Sequence, residues 1–242
     1  MPPAALTIPL ADGNTISGLL AAPANAETCY VFAHGAGAGM NHPFMAAIAR
    51  GLADRGVATL RFQFPFIERG SKRPDPPQAA HAAVRAAIRE ASKQLPDVPL
   101  FAGGKSYGGR MTSQAQAAEP LANVLGLVFL GFPLHPAGKP SIERAGHLAD
   151  VGLPMLFLQG TRDPLADLGL LRSATATLQS PLTLHVVCGA DHSFHVPARS
   201  GRTDEQVLEE LIVTMAEWMR QIVGRRPERC ARPPENSDRA VK

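Results

Sequence analysis

One short stretch limits the possible folds more than any other. The apolar run Val98-Pro99-Leu100-Phe101-Ala102-Gly103 stops at Gly104-Lys105-Ser106-Tyr107-Gly108-Gly109, and a helix-like segment follows at once. A strand that turns this sharply into a helix forces Ser106, at the apex, into a strained backbone conformation. Side chains two positions before and two after would collide, and glycine at 104 and 108 removes that crowding. The hydroxyl then projects from the carboxyl end of a sheet.

The rest of the chain reads as the sheet this turn requires. Leu6–Leu10 and Thr15–Ala21 flank the turn signal Asp12-Gly13-Asn14 and predict an N-terminal hairpin. Thr28–Ala33 and Val57–Phe64 predict strands, separated by a helix over Phe44–Arg55 that stops at Gly56. A long alanine-rich helix is expected over Ala79–Leu95, entered through Pro74, Pro76 and Pro77. After the Ser106 turn and its helix to Ala118 come strands at Val124–Phe132, Leu153–Gly160 and Leu182–Val187. Helices are expected at Leu165–Leu178 and Thr203–Val223, the last with Val207, Leu211, Met215 and Trp218 on one face. Alternating helices and buried strands predict an α/β fold: a doubly wound, mostly parallel sheet flanked by helices. Residues 1–224 are expected to form one domain and 225–242 a disordered, basic, Pro/Arg-rich tail.

A serine hydroxyl attacks nothing at neutral pH without a base, and the base needs a third group to orient it. Thr161-Arg162-Asp163-Pro164 follows one strand, and Cys188-Gly189-Ala190-Asp191-His192-Ser193-Phe194 follows the next. Asp163 and His192 therefore both fall just past strand ends, where parallel sheets collect their functional groups. The candidate assignment is Ser106 as nucleophile, His192 as general base and acid, and Asp163 as the orienting carboxylate. Acyl transfer also develops an oxyanion that needs two backbone N–H donors. Tyr107, at the start of its helix, offers one, and the turn after His34-Gly35 offers the other, assigned to Ala36 with Gly37 as neighbour. Gly37, Phe64, Phe132 and Phe194 are the candidate substrate-binding residues. Phe66, Tyr107 and His135 follow strand ends in the same way, and any of these groups is as compatible with a core position as with a cleft wall.

Taken together, His34-Gly35-Ala36-Gly37, Gly-Lys-Ser-Tyr-Gly-Gly, Gly-Thr-Arg-Asp and Gly-Ala-Asp-His-Ser-Phe resemble the α/β-hydrolase superfamily over roughly residues 15 to 222. The order Ser106, Asp163, His192 matches that superfamily's order. The chain is most similar to the small dienelactone-hydrolase-like and testis-expressed-protein-30-like predicted hydrolases. The resemblance implies a serine hydrolase acting on an ester, thioester or lactone acyl bond through an acyl-enzyme. Dienelactone hydrolases proper use a cysteine nucleophile where this chain has Ser106, which puts dienelactone itself in doubt as substrate. Many α/β-hydrolases insert a cap between the two strands that Pro133–Gly152 joins, but this stretch has only 20 residues. A minimal or absent cap and an open site are expected.

Gly104-Lys105-Ser106 mimics the end of a P-loop, but Pro99 stands where its first glycine belongs, so Lys105 is expected to be solvated or ion-paired. A dinucleotide fingerprint at Gly35–Met40 fails because Met40 replaces the last glycine. Asp167 rivals Asp163 but falls within the next helix, and His185 and His195 rival His192. His34 is read as structural, its ring fixing the turn after the strand. The remaining histidines, His42, His81, His135 and His147, lack metal-ligand spacing, so no metal and no cofactor are expected. A catalytically silent α/β-hydrolase fold serving as an interaction module is the alternative, since fold alone does not dictate function. A peptidase of similar fold would usually carry an added propeller or cap.

Charge narrows the partners. The formal net charge is +3, and residues 225–242 carry six Arg or Lys against three acids, leaving residues 1–224 neutral. A neutral body argues against a nucleic-acid surface, so the expected partner is a small-molecule acyl substrate, with neither nucleic acid nor membrane involved. The oligomeric state is left open. Of Cys29, Cys188 and Cys230, the first two are expected to be small buried apolar residues. The start of the chain has no signal-peptide pattern and the longest near-apolar stretch is 11 residues, which predicts a cytoplasmic protein.

Overall fold

The computed structural model describes residues 2–225. Eight strands form one sheet: β1 (Ala4–Pro9), β2 (Thr15–Ala21), β3 (Thr28–Ala33), β4 (Val57–Phe62), β5 (Leu100–Lys105), β6 (Val124–Leu130), β7 (Met155–Gly160) and β8 (Leu182–Val187). Their spatial order is β1-β2-β4-β3-β5-β6-β7-β8, with β2 antiparallel to both β1 and β4 and the pairings from β4 to β8 all parallel. The chain thus winds one way from β3 through β4 and the other way from β5 to β8, and the reversal leaves β3 and β5 adjacent. Ligands bind at such a switch point in open α/β sheets.

Residues of β3 and β7 alternate strictly between two packing layers. Cys29, Val31 and Ala33, with Met155 and Phe157, face α3 (Pro77–Gln94) and α4 (Tyr107–Ala118). Tyr30 and Phe32, with Leu156 and Leu158, face α1 (Pro43–Ala53) and α6 (Asp204–Gly224). Both strands are buried on both faces, as parallel strands covered by helices must be. The helices α1 and α6 approach closely because Gly51 sits under Ile212: a Cβ at 51 would lie 2.4 Å from Ile212 Cδ1. Tyr30 Oη donates to the Val128 carbonyl at 3.0 Å within the sheet, and Trp218 Nε1 donates to Thr183 Oγ1 at 3.2 Å, tying α6 to β8.

Two expected helices differ in extent for identifiable reasons. The long helix begins at Pro77, whose missing N–H costs nothing in a first turn. The helix expected from Leu165 is shorter: α5 runs Leu168–Thr175, because Asp163 Oδ1 captures the Leu165 N–H at 2.8 Å and Asp167 then caps Leu170. The strand expected to reach Phe64 ends at Phe62 and gives way to a short helix, α2 (Pro65–Glu68), with Pro65 in its first turn. Between β6 and β7 a 3-10 helix, Glu143–Asp150, takes the place where a cap would be inserted. Of the expected tail only Arg225 is described, as the residue after α6. Among the described residues no helix is long and apolar enough to cross a membrane.

Candidate active site

Parallel register brings the ends of β3, β5, β6, β7 and β8 to one edge: Ala33 is opposite Gly104, Lys105 opposite Leu130, and Gly160 opposite Val187. Ser106 stands in the middle of that edge with φ 51° and ψ −115°, a conformation side chains rarely adopt. Its N–H donates to the Leu130 carbonyl at 3.0 Å, which ties the turn to β6. The two flanking glycines are needed for backbone clearance. A Cβ at Gly104 would fall 2.4 Å from the Ala33 oxygen, and one at Gly108 would fall 2.5 Å and 2.6 Å from the Ala33 and His34 oxygens.

His192 arrives from the loop after β8 and Asp163 from the loop after β7. His192 Nε2 lies 2.9 Å from Ser106 Oγ, and His192 Nδ1 lies 2.7 Å from Asp163 Oδ2. An ionised carboxylate only accepts, so Nδ1 carries the proton and leaves Nε2 with a lone pair facing the serine hydroxyl. Asp163 is buried and fully engaged: Oδ2 also accepts from Gln159 Nε2 at 2.5 Å, and Oδ1 takes the Leu165 N–H. Three donors on two oxygens hold the carboxylate in a single orientation.

The histidine loop is itself braced. Asp191 Oδ1 accepts the N–H groups of Ser193 at 2.8 Å and His195 at 3.0 Å, and Phe194 takes φ 66° to close the turn. Asp204, at the start of α6, accepts from the Val196 N–H and pairs with His195 Nδ1 at 2.8 Å, pinning the loop's far side. Lys105 supplies a bond that sequence reasoning missed. Rather than solvated or ion-paired, its Nζ donates to the His192 carbonyl at 2.6 Å and sits 5.4 Å from the centre of the Phe194 ring. Burial lowers its pKa to about 8, and Asp163 and Asp191 offset part of that fall. No local signal could reveal this tie, which joins residues 87 positions apart.

His34 clamps the opposite wall. Its Nδ1 donates to the Gly35 carbonyl at 2.8 Å, and its Nε2 accepts the Phe64 N–H at 3.0 Å, linking the turns after β3 and β4. Burial pushes this ring down to about pKa 4, so it stays neutral and can accept. The clamped turn presents Ala36 and Gly37 to the cleft. Among the described residues the Ala36 and Tyr107 N–H groups have no acceptor within the protein, and Tyr107 opens α4, where N–H groups are free.

Two hollows meet at Ser106, and Ala36 borders both. One, of about 260 Å³, is walled by Gly37, Ala38, Phe44, Met45 and His192. The other, of about 400 Å³, is walled by Tyr107, Arg110, Met111 and Arg144. A hollow between Leu95 and Asn123, at the amino ends of the strands, is lined by no histidine, cysteine or lysine.

Several expected neighbours are not in the cleft. Phe64 and Phe132 are wholly buried, Phe64 against His34, Phe66 and Tyr107, and Phe132 against Phe129 and Phe157. Their loops turn inward after the strand, so both rings back the site instead of lining it. Phe194 is 3% exposed and stacks on Phe44, bordering a neighbouring hollow with Pro43 and Leu208. Cys188 is exposed just past β8, contrary to the buried position expected, whereas burial raises the Cys29 thiol to about 12. The rival residues have other partners: Asp167 caps α5, and His185 pairs with Glu210. His135 braces a loop by accepting the Asp167 N–H. Among the described residues no three His, Cys, Asp or Glu side chains converge as a metal site.

The fold has structural parallels. The fold superimposes on a dienelactone hydrolase from Anabaena variabilis (TM-score 0.73, 21% identity, 90% of this chain and 97% of that one). It also matches an alpha-beta serine hydrolase homologue from Coxiella burnetii (TM-score 0.71, 18% identity, 90% and 98%). An α/β serine hydrolase without lid from Xanthomonas campestris is similar over 96% of this chain and 98% of its own (TM-score 0.67, 21% identity). Residues 26–220 match the sequence family described as alpha/beta hydrolase domain, and with most of its length inside that match the chain belongs to the α/β-hydrolase family.

Proposed function

We propose that the protein is a serine hydrolase that cleaves an ester, thioester or lactone through an acyl-enzyme. The observation that carries this reading is the unbroken line from Ser106 Oγ to His192 to Asp163, at 2.9 Å and 2.7 Å. Ser106 attacks the acyl carbon as His192 Nε2 takes its proton. The charge that develops on the acyl oxygen is met by the Ala36 and Tyr107 N–H groups, whose lack of internal acceptors supports this role. Collapse of the tetrahedral intermediate breaks the acyl–oxygen or acyl–sulfur bond, and His192 returns the proton to the leaving group. Water, deprotonated by the same nitrogen, then releases the acid and restores Ser106. Asp163 holds the imidazole in the required tautomer and stabilises the imidazolium. The thin cover between β6 and β7 favours compact acyl groups over long chains that need a tunnel.

Labelling with a fluorophosphonate probe, with peptide mapping, tests this. Ser106 is the expected site, and Ser106→Ala should abolish both labelling and turnover of activated esters, a loss of about 10⁶ in kcat. A wild-type protein that resists the probe and cleaves no activated ester would overturn the assignment.

A further inference from the structure

The hollow on the Arg110 side of Ser106 has an electrostatic character that ester hydrolysis alone does not require. Of the arginines drawn in from the surface, Arg55, Arg61, Arg85 and Arg202 each donate to a carbonyl or carboxylate. Arg110 and Arg144 are equally drawn in, yet neither has an acceptor among the described residues. Arg110 Nε is buried with no partner, and so is the hydroxyl of Tyr107 next to it. Leaving such donors unpaired in a wall is costly unless something the cleft admits accepts from them. Burial lowers the Arg110 pKa and Arg144 lowers it further, so the two cations act on each other across the hollow. Nearby histidines add no positive charge: burial, reinforced by Arg110, holds His147 near pKa 4, and burial lowers His81. One acid, Asp75, borders the hollow: Arg69 engages its Oδ1, while its Oδ2 is buried without a partner.

We propose that this hollow is a subsite for a carboxylate of the substrate, held by Arg110 and Arg144 with the Tyr107 hydroxyl, so that the preferred substrates are esters that also bear a carboxylate. Asp75 is already paired with Arg69, so the two guanidinium groups leave the hollow cationic, which suits a carboxylate. Planar guanidinium forks also suit carboxylate geometry. The hollow on the other side of Ser106, walled by Ala38, Phe44 and Met45, takes the uncharged part. This inference rests on the hydrolase reading, because the scissile bond must lie at Ser106 between the two hollows.

The test compares matched substrates with the full chain. The hemi-para-nitrophenyl ester of adipate is set against para-nitrophenyl hexanoate, and para-acetoxybenzoate against phenyl acetate, covering a carboxylate on the acyl or the alcohol side. In at least one pair the anionic member is expected to show about tenfold higher kcat/KM. Arg110→Gln and Arg144→Gln should each bring that ratio close to one. Arg144 lies on a 3-10 helix, so Arg144→Gln decides the matter if Arg110→Gln misfolds. Equal rates in both pairs, or a preference that survives both substitutions, would overturn the subsite while leaving the hydrolase reading intact. Calorimetric binding of adipate and benzoate, against their amides, to the Ser106→Ala protein decides the subsite independently of turnover. Carboxylate binding weakened about tenfold by Arg144→Gln supports it, and equal binding of acid and amide refutes it.

Discussion

Replacing Asp163 by Asn isolates what its negative charge contributes, because the shape of the side chain is preserved. The carboxylate accepts at every contact: His192 Nδ1 and Gln159 Nε2 on Oδ2, and the Leu165 N–H on Oδ1. An amide has one oxygen for these two positions. With its NH₂ toward Leu165, two donors face each other and the imidazole keeps its tautomer but loses its counter-charge. With its NH₂ toward His192, the imidazole must shift its proton to Nε2, which then points at Ser106 and can no longer accept. At 2.7 Å between the bonded atoms the charge centres are about 4 Å apart, worth about 4 kcal/mol at an effective dielectric of about 20. That is about a thousandfold in rate, and the tautomer conflict extends the expected loss in kcat to about 10⁴. The assay is steady-state hydrolysis of an activated ester, run alongside the fluorophosphonate labelling rate and denaturant unfolding. A folded Asp163→Asn protein that keeps kcat within about tenfold of wild type would refute the role given to this carboxylate.

Gly108→Ala should be severely destabilising, by about 3 kcal/mol or more, since its Cβ would meet backbone oxygens at 2.5 Å and 2.6 Å that cannot move aside; an unchanged urea midpoint would contradict this. Lys105→Met keeps the apolar stem beside Phe194 but frees the His192 carbonyl, so kcat should fall about tenfold with KM little changed. Unaltered kcat would show that the tie does not position the imidazole. Because the Lys105 pKa is lowered from 10.5 to about 8, the folded state binds fewer protons than the unfolded state between those values. Its contribution to stability therefore rises as pH increases from about 8 to 10.5, and the Lys105→Met protein should lack that rise. His34, neutral in the folded protein with a pKa of about 4 against an ordinary 6.5, contributes stability that is present above pH 6.5 and lost as pH falls toward 4. Denaturant titrations across that range should show the loss, and a flat profile would argue against a buried neutral ring.

Much of the candidate site's geometry was legible because its signals are local. A strand, a glycine two residues either side of Ser106 and an immediate helix describe one turn, and the turn's sterics hold whatever surrounds it. The strands could be counted from buried apolar runs, and their ends mark where Asp163 and His192 emerge. The hairpin, the mostly parallel character of the sheet and the short stretch where a cap could be inserted were legible from spacing along the chain.

Other features depended on the direction in which loops turn after leaving the sheet, and composition carries no record of that direction. Phe64 and Phe132 follow strand ends as Ala36 does, yet packing against His34 and Phe157 draws both rings into the core. Lys105 reads as a surface cation until the His192 loop closes over it. Arg110 and Arg144 are 34 positions apart and meet only because α4 and the 3-10 helix before β7 flank the same hollow. Short-range sterics and hydrophobic periodicity set the turn and the succession of strands and helices from the sequence alone. Which side chains share the cleft, and with what charge, was decided by long-range packing, where one loop's path determines whether a ring or a guanidinium faces the opening.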